Sequence, residues 1–233
     1  MTFPVLAALA RLSHKYRLYQ LLNAVIYRFE DIFPIRLDDW DRCSAVDGHD
    51  PNRLSSAEVI EAVNLFRLID KPNMIPTALY RCAQLEPRAI LRDKTRADGV
   101  TRELLSPSDM ELCMEVKEEL LKATASLLTR LHEACEARIV HLTHAPGSAC
   151  CALPGLCMRD LRVVMRRCLE DMREGLSADP LDMRYMGEVV SAQSDGGLCN
   201  VCGNVLEVTY SEERREIWGR LPELAGVDVA YWD

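Results

Sequence analysis

Residues 106–137 read SPSDMELCMEVKEELLKATASLLTRLHEACEA, and this stretch decides the fold class. Ser106 is placed to cap a helix, Pro107 fills the first helical position where a missing N–H is harmless, and Asp109 meets the positive end of the helix. Behind that start, Leu112, Val116, Leu120, Ala123, Leu127, Leu131 and Ala134 recur at helical spacing to about residue 137. At 1.5 Å per residue this is a helix of ~45 Å.

Working outward, residues 158–175 repeat the pattern, with Leu161, Met165, Cys168 and Met172 on one face and Gly175 as the stop. The stretch 193–204 is turn-rich. Val205, Leu206, Val208 and Tyr210 then read as a short strand, and Ser211 as the cap of a final helix holding Ile217, Trp218 and Leu221. Upstream, Ser55 and Glu58 form a capping box ahead of Val59, Ala62, Val63, Phe66 and Ile69. Asp70-Lys71-Pro72 ends that helix, and residues 74–85 make another. Residues 5–33 carry two helices divided near Lys15-Tyr16, with Pro34 as a stop. The polar segment LDDWDRCSAVDGHDPNR reads as a loop that Trp40 tucks onto a neighbour. The whole predicts a mainly α protein: a multi-helix bundle with a small C-terminal zinc-knuckle-like element and at most a short β segment. Helices at 1–34, a linker at 35–54, a helical region at 55–138 and a cysteine-bearing subdomain at 139–233 divide the chain.

Composition bounds what such a bundle can do. The 233 residues are 48% hydrophobic, enough for an ordinary core, and 28 basic against 36 acidic residues give a net charge of −8. That charge disfavours general binding to a nucleic-acid backbone. No run approaches the ~18–20 apolar residues needed to cross a bilayer. MTFPVLAALARL has a faint signal-like apolar core, but no basic residue precedes it and Arg11 interrupts it. Ten cysteines in a long helical chain with a C-x2-C fit a reducing compartment better than five disulfides. The expected location is intracellular, in nucleus or cytoplasm.

Cys199-Asn-Val-Cys202-Gly203-Asn204 carries the sharpest chemistry. Two thiolates at this spacing converge on one tetrahedral ion, and a glycine after the second suits a tight turn. The other two ligands are expected from Cys151 and Cys157, whose loop holds Pro154 and Gly155. His141 with His144 is the alternative donor pair, and Cys150 can replace Cys151. Four protein ligands leave no open position, so a Zn2+ bound there is structural. Cys43, Cys82, Cys113, Cys135 and Cys168 read as core fillers.

Catalytic signatures are absent: there is no Gly-rich phosphate loop, G-x-S-x-G, H-E-x-x-H or G-x-G-x-x-G. A redox role for the C-x2-C lacks the usual βαβ pattern. Arg159, Arg162, Arg166 and Arg167 could form a basic stripe, but Asp160, Glu170, Asp171 and Glu174 dilute its field, and no aromatic ladder accompanies it.

Three groups of segments together resemble one family. PVLAALARLSHKYRLYQLLNAVIYRFEDIFP is similar to the closing helices of a BTB/POZ domain. SSAEVIEAVNLFRLIDKPNMIPTALYRCAQL and SPSDMELCMEVKEELLKATASLLTRL resemble the BACK-like helical region that follows the BTB fold in BTB proteins of mushroom-forming fungi. CALPGLC, LCNVC and RREIWGRLPELAGV resemble their cysteine-bearing tail and terminal helix, with cysteine pairs spaced as Cys151-x5-Cys157 and Cys199-x2-Cys202. The resemblance implies an interaction scaffold with no catalytic residue. The strand-rich BTB core that dimerises and recruits cullin scaffolds has no counterpart here, so the resemblance leaves homo-oligomerisation and ubiquitin-ligase adaptor activity open. The expected function is a non-enzymatic protein–protein interaction module that scaffolds or selects substrates and binds protein partners, not membranes. The alternative is a transcription-related zinc protein that binds nucleic acid. Without a BTB core to pack on, Leu6, Leu9 and their neighbours are expected to form a sticky patch.

Overall fold

Capping, periodicity and chain breaks translate into a mainly helical architecture. The computed structural model describes residues 1–44, 54–144, 151, 154–183 and 197–233. The helices are α1 (Phe3–Lys15), α2 (Tyr19–Glu30), α3 (Leu37–Ser44), α4 (Ser56–Leu68), α5 (Ile75–Ala83), α6 (Pro87–Ile90), α7 (Pro107–His144), α8 (Pro154–Glu174) and α9 (Asn200–Leu224). A two-stranded antiparallel sheet, β1 (Lys94–Thr95) with β2 (Arg102–Glu103), pairs Lys94 with Glu103 and Thr95 with Arg102.

Two of the three capping readings hold. The Ser55 side chain accepts from the Glu58 N–H at 3.3 Å, and Glu58 accepts from the Ser55 N–H at 2.7 Å. The Ser106 hydroxyl oxygen accepts the Asp109 N–H at 3.0 Å. Gly175 closes α8 at φ 121°, a backbone angle that side chains beyond glycine rarely adopt.

Four sequence expectations need correction. The supposed loop contains α3, whose first turn carries Asp38 and Asp39 and whose Trp40 is buried. Helix α7 runs past residue 137 to His144, and α8 begins at Pro154 instead of 158. No strand forms at 205–210: α9 is continuous from Asn200, and Ser211 lies inside it. Cys202, Leu206, Tyr210, Ile217 and Leu221 are all buried, a helical period that overrides the local β preference of Val205 and Val208. The short β segment is instead the hairpin at 94–103, where the Asp98 carboxylate accepts the Val100 and Thr101 N–H groups at 2.9 and 2.8 Å and Gly99 takes φ 74°.

Two compact units result: Met1–Glu119 with Trp218–Asp233, and Leu120–Ile217. The division therefore falls inside α7 and α9 and not at residue 138.

In the first unit, α1 and α2 form a helical hairpin closed by the Leu18 N–H on Ser13 O at 2.8 Å, with Arg17 at φ 56°. Phe3, Phe29, Phe33 and Phe66 interlock at ring distances of 4.9–6.2 Å, each such pair contributing about 1 kcal/mol beyond its buried area. Trp40 meets Tyr80 edge-on at 5.2 Å, lies 5.8 Å from Trp218, and sits under the Arg81 guanidinium at 4.8 Å. Trp218 stacks on Trp232 and donates to Asp233 O at 2.9 Å, while Asp233 O also accepts the Leu37 N–H. Buried polar groups need partners, and the two buried glutamates of this unit have them. Glu61 accepts from Arg11, and Glu103 accepts from Arg11 at 3.2 Å, Arg96 Nε at 2.6 Å and Asn64 at 2.5 Å.

In the second unit, α8 and parts of α7 and α9 enclose a core of Leu127, Leu128, Leu131, Leu161, Val164, Leu206 and Tyr210. The segment after α8 is tied down by polar bonds: Thr124 donates to Ser177 O at 2.8 Å, Arg214 to Leu181 O at 2.9 Å, and the Tyr210 hydroxyl to Asp182 O. Arg130 pairs with Glu213 at 2.5 Å.

Candidate metal centre

Two helix starts assemble the site. Pro154 opens α8, leaving Cys151 just ahead of it and Cys157 in its first turn. Cys199 directly precedes α9, and its carbonyl accepts the Gly203 N–H at 2.9 Å, which places Cys202 one turn in. Gly203 is thus helical and supplies no special turn, contrary to the expectation from its position. The N-terminal end of a helix carries partial positive charge, so both pairs stand at the end of a helix that favours negative groups.

The sulfur atoms of Cys151, Cys157, Cys199 and Cys202 all lie within 4.8 Å of one another. Cys151 Sγ is 3.4 Å from Cys157 Sγ, 3.6 Å from Cys199 Sγ and 3.9 Å from Cys202 Sγ. Four sulfurs bonded to a tetrahedral zinc at ~2.3 Å stand ~3.8 Å apart, so the spacing fits one small ion among four thiolates. Cys157 and Cys202 are buried and Cys151 and Cys199 half-buried, which leaves the cluster inside the core of its unit.

Neighbouring donors set the acidity of these thiols. Burial pushes the Cys202 thiol up to about 11, against a hydrogen bond from Arg138, and burial also raises Cys157. Burial acts the same way on Cys199, but the Cys202 backbone N–H and the surrounding thiols outweigh it and bring Cys199 down to about 7. Metal binding takes thiolates, so loading such a site releases protons.

His141 and His144 are exposed on the last turn of α7 and do not belong to the group; Cys150 lies outside the described residues. Cys82, Cys113, Cys135 and Cys168 are buried as fillers, with Cys135 pushed up to about 12 by burial and by Cys168. Cys43 is only half-buried and donates to Asp31 O. In the arginine stripe, Arg159 pairs with Asp160 at 2.7 Å and Arg167 with Asp171 at 3.7 Å.

Sequence reasoning missed Arg138, whose Nε donates to Cys202 Sγ at 3.2 Å. Its signal was available: Cys135, Arg138 and Leu142 keep the helical period beyond residue 137.

Among the described residues no helix is long and apolar enough to cross a membrane. Comparison with protein-family models, with curated proteins and with solved structures found no match.

Proposed function

We propose that this chain is a non-enzymatic protein–protein interaction module, akin to the helical region that follows the BTB fold in fungal BTB/POZ proteins, with a structural Zn2+ held by Cys151, Cys157, Cys199 and Cys202. Zinc is favoured among metals because it prefers closed tetrahedral thiolate sites, and the four sulfurs are spaced for one. The cysteine pattern, a C-x2-C with a second pair placed to hold a metal ion, favours a reducing intracellular compartment.

One observation carries the interaction reading. The tip of the α1–α2 hairpin exposes large apolar side chains: Leu12 at 51%, Tyr16 at 62%, Leu18 at 50% and Tyr19 at 67%. Leu6 is buried and Leu9 half-buried, so the sticky surface lies at the tip and not at the residues the sequence pointed to. Residues 1–29 also carry Arg11, Lys15, Arg17 and Arg28 and no carboxylate, in a chain of net charge −8. Of these, Lys15 and Arg17 sit at the tip, whereas Arg11 pairs with Glu61 and Glu103 and Arg28 lies in the last turn of α2 beside Asp31. An apolar tip carrying two cations suits a partner with acidic and apolar groups side by side.

The test compares proteins retained by the intact chain with those retained by a Leu18→Asp/Tyr19→Asp double variant, after matching the two for helical content and metal content. The reading expects a specific partner retained by the parent and lost by the variant. Identical sets would remove the tip from the account, and no retained protein at all would sink the interaction module.

A further inference from the structure

Two of the four clustered sulfurs receive an N–H donor. Cys157 Sγ accepts the Cys199 backbone N–H at 3.3 Å, and Cys202 Sγ accepts Arg138 Nε at 3.2 Å. The first donor is neutral and belongs to the backbone just ahead of α9. The second is a guanidinium, always charged, reaching in from α7.

The charge arithmetic makes that difference matter. Four thiolates around a divalent cation leave a net charge of −2. Cys202 is fully buried at 0% exposure, in a core of leucines, valine and tyrosine, where charge is screened far less than at a surface. A guanidinium hydrogen-bonded to one of the sulfurs offsets part of that excess and fixes the direction of the sulfur lone pairs.

We infer that Arg138 is a positioning residue of the metal centre: it holds Cys202 Sγ in place and balances part of the tetrathiolate charge, so the affinity of the site for a divalent metal depends on it. This inference rests on the metal reading above, and the experiment separates the two. Zn2+ and Co2+ affinities are measured on the full chain by competition with a chromophoric chelator, for the parent, Arg138→Met and Arg138→Lys. The sulfur-to-cobalt charge-transfer band is recorded for each, and the helical content of each metal-free protein is compared.

Arg138→Met is expected to bind both metals about 10–100-fold more weakly, the usual loss when a hydrogen-bonding neighbour of a metal ligand is removed. Its charge-transfer band should move, because one sulfur has lost a cationic donor. Arg138→Lys should restore most of the affinity, a rescue that a purely packing role would not give. A parent that binds neither metal overturns both readings. A parent that binds, with Arg138→Met within twofold of it, overturns the role of Arg138 alone and leaves the centre standing. Should Arg138→Met lose its helical content, the Lys variant decides: affinity and band like the parent's uphold the role, and a loss as large as that of a ligand variant overturns it.

Discussion

The two units each bury a cluster of ionisable side chains, and the clusters are built on opposite logic. In the first unit Glu61 and Glu103, with side chains 5% and 6% exposed, face Arg11 and Arg96, at 23% and 25%. Two carboxylates and two guanidiniums sum to zero, and every acid has its cation at hand. In the second unit Cys151, Cys157, Cys199 and Cys202 bring four groups of one sign together, with Arg138 as the cation hydrogen-bonded to one of them. A balanced cluster is complete as folded, whereas a tetrathiolate needs a divalent ion from solution. The first is therefore complete as structure, and the second is a cluster that could hold a metal ion.

The largest expected effect follows from that difference. Removing metal with a chelator, or introducing Cys199→Ser, should destabilise the cysteine-bearing unit. If free metal stands at a thousand times its Kd, the loss amounts to about 4 kcal/mol. Trp40, Trp218 and Trp232 are all the tryptophans of the chain and all belong to the first unit, so their emission reports that unit separately from the metal. The helical signal should lose its midpoint on chelation by more than the tryptophan emission does. Equal stability with and without metal would mean that the four thiols are packing groups like those of Cys82 and Cys113.

Breaking the balanced cluster should cost less and leave metal untouched. Glu103→Gln removes one carboxylate from beneath two guanidiniums. A broken buried ion pair costs roughly 3–5 kcal/mol, and since Arg11 and Arg96 keep partial access to water, about 2–3 kcal/mol is expected here. The tryptophan-monitored denaturation midpoint should fall while metal content per chain stays at the parent value. Loss of metal in this variant would show that the two clusters are not independent, and the comparison would fail.

How far these clusters were legible in the sequence differs for the same physical reason. The cysteines announce themselves through short spacing, so the four could be named from the chain, with His141, His144 and Cys150 as alternatives. That both pairs stand at helix starts is not legible there, because the sequence pattern starts α8 at 158 and makes 205–210 a strand. The ion network draws Arg11, Glu61, Asn64, Arg96 and Glu103 from distant segments, each an unremarked charged or polar residue on a helix or hairpin, and nothing local joins them. Among the helices, those with capping residues and long apolar periods, α4 and α7, stood out. Helix α9 did not, because Val205 and Val208 mimic a strand and because Cys202 was counted as a ligand and not as the first apolar position of the buried face. Helix α3 was hidden by its polarity: among its described side chains only Trp40 is buried, too little for a periodic signal.

The smallest effect sharpens the comparison, because it isolates a carboxylate that neither burial nor a full cationic partner controls. Asp98, wholly exposed in the β1–β2 turn, takes hydrogen bonds from the Thr101 hydroxyl and from the Thr101 and Val100 N–H groups, and these lower its pKa from 3.8 to about 2. A lowered folded-state value means that the turn is favoured fully above pH ~4, and that this contribution disappears as pH falls toward 2. An NMR titration of the Asp98 side-chain carboxyl should give a midpoint near 2, and Thr101→Val, which removes the largest cause, should raise it toward 3.8. Overall stability should scarcely respond to either, since solvent screens a group this exposed. A midpoint near 3.8 in the parent would show that neutral donors in this hairpin do not hold a carboxylate as a guanidinium does, and would confine strong charge organisation to the buried clusters.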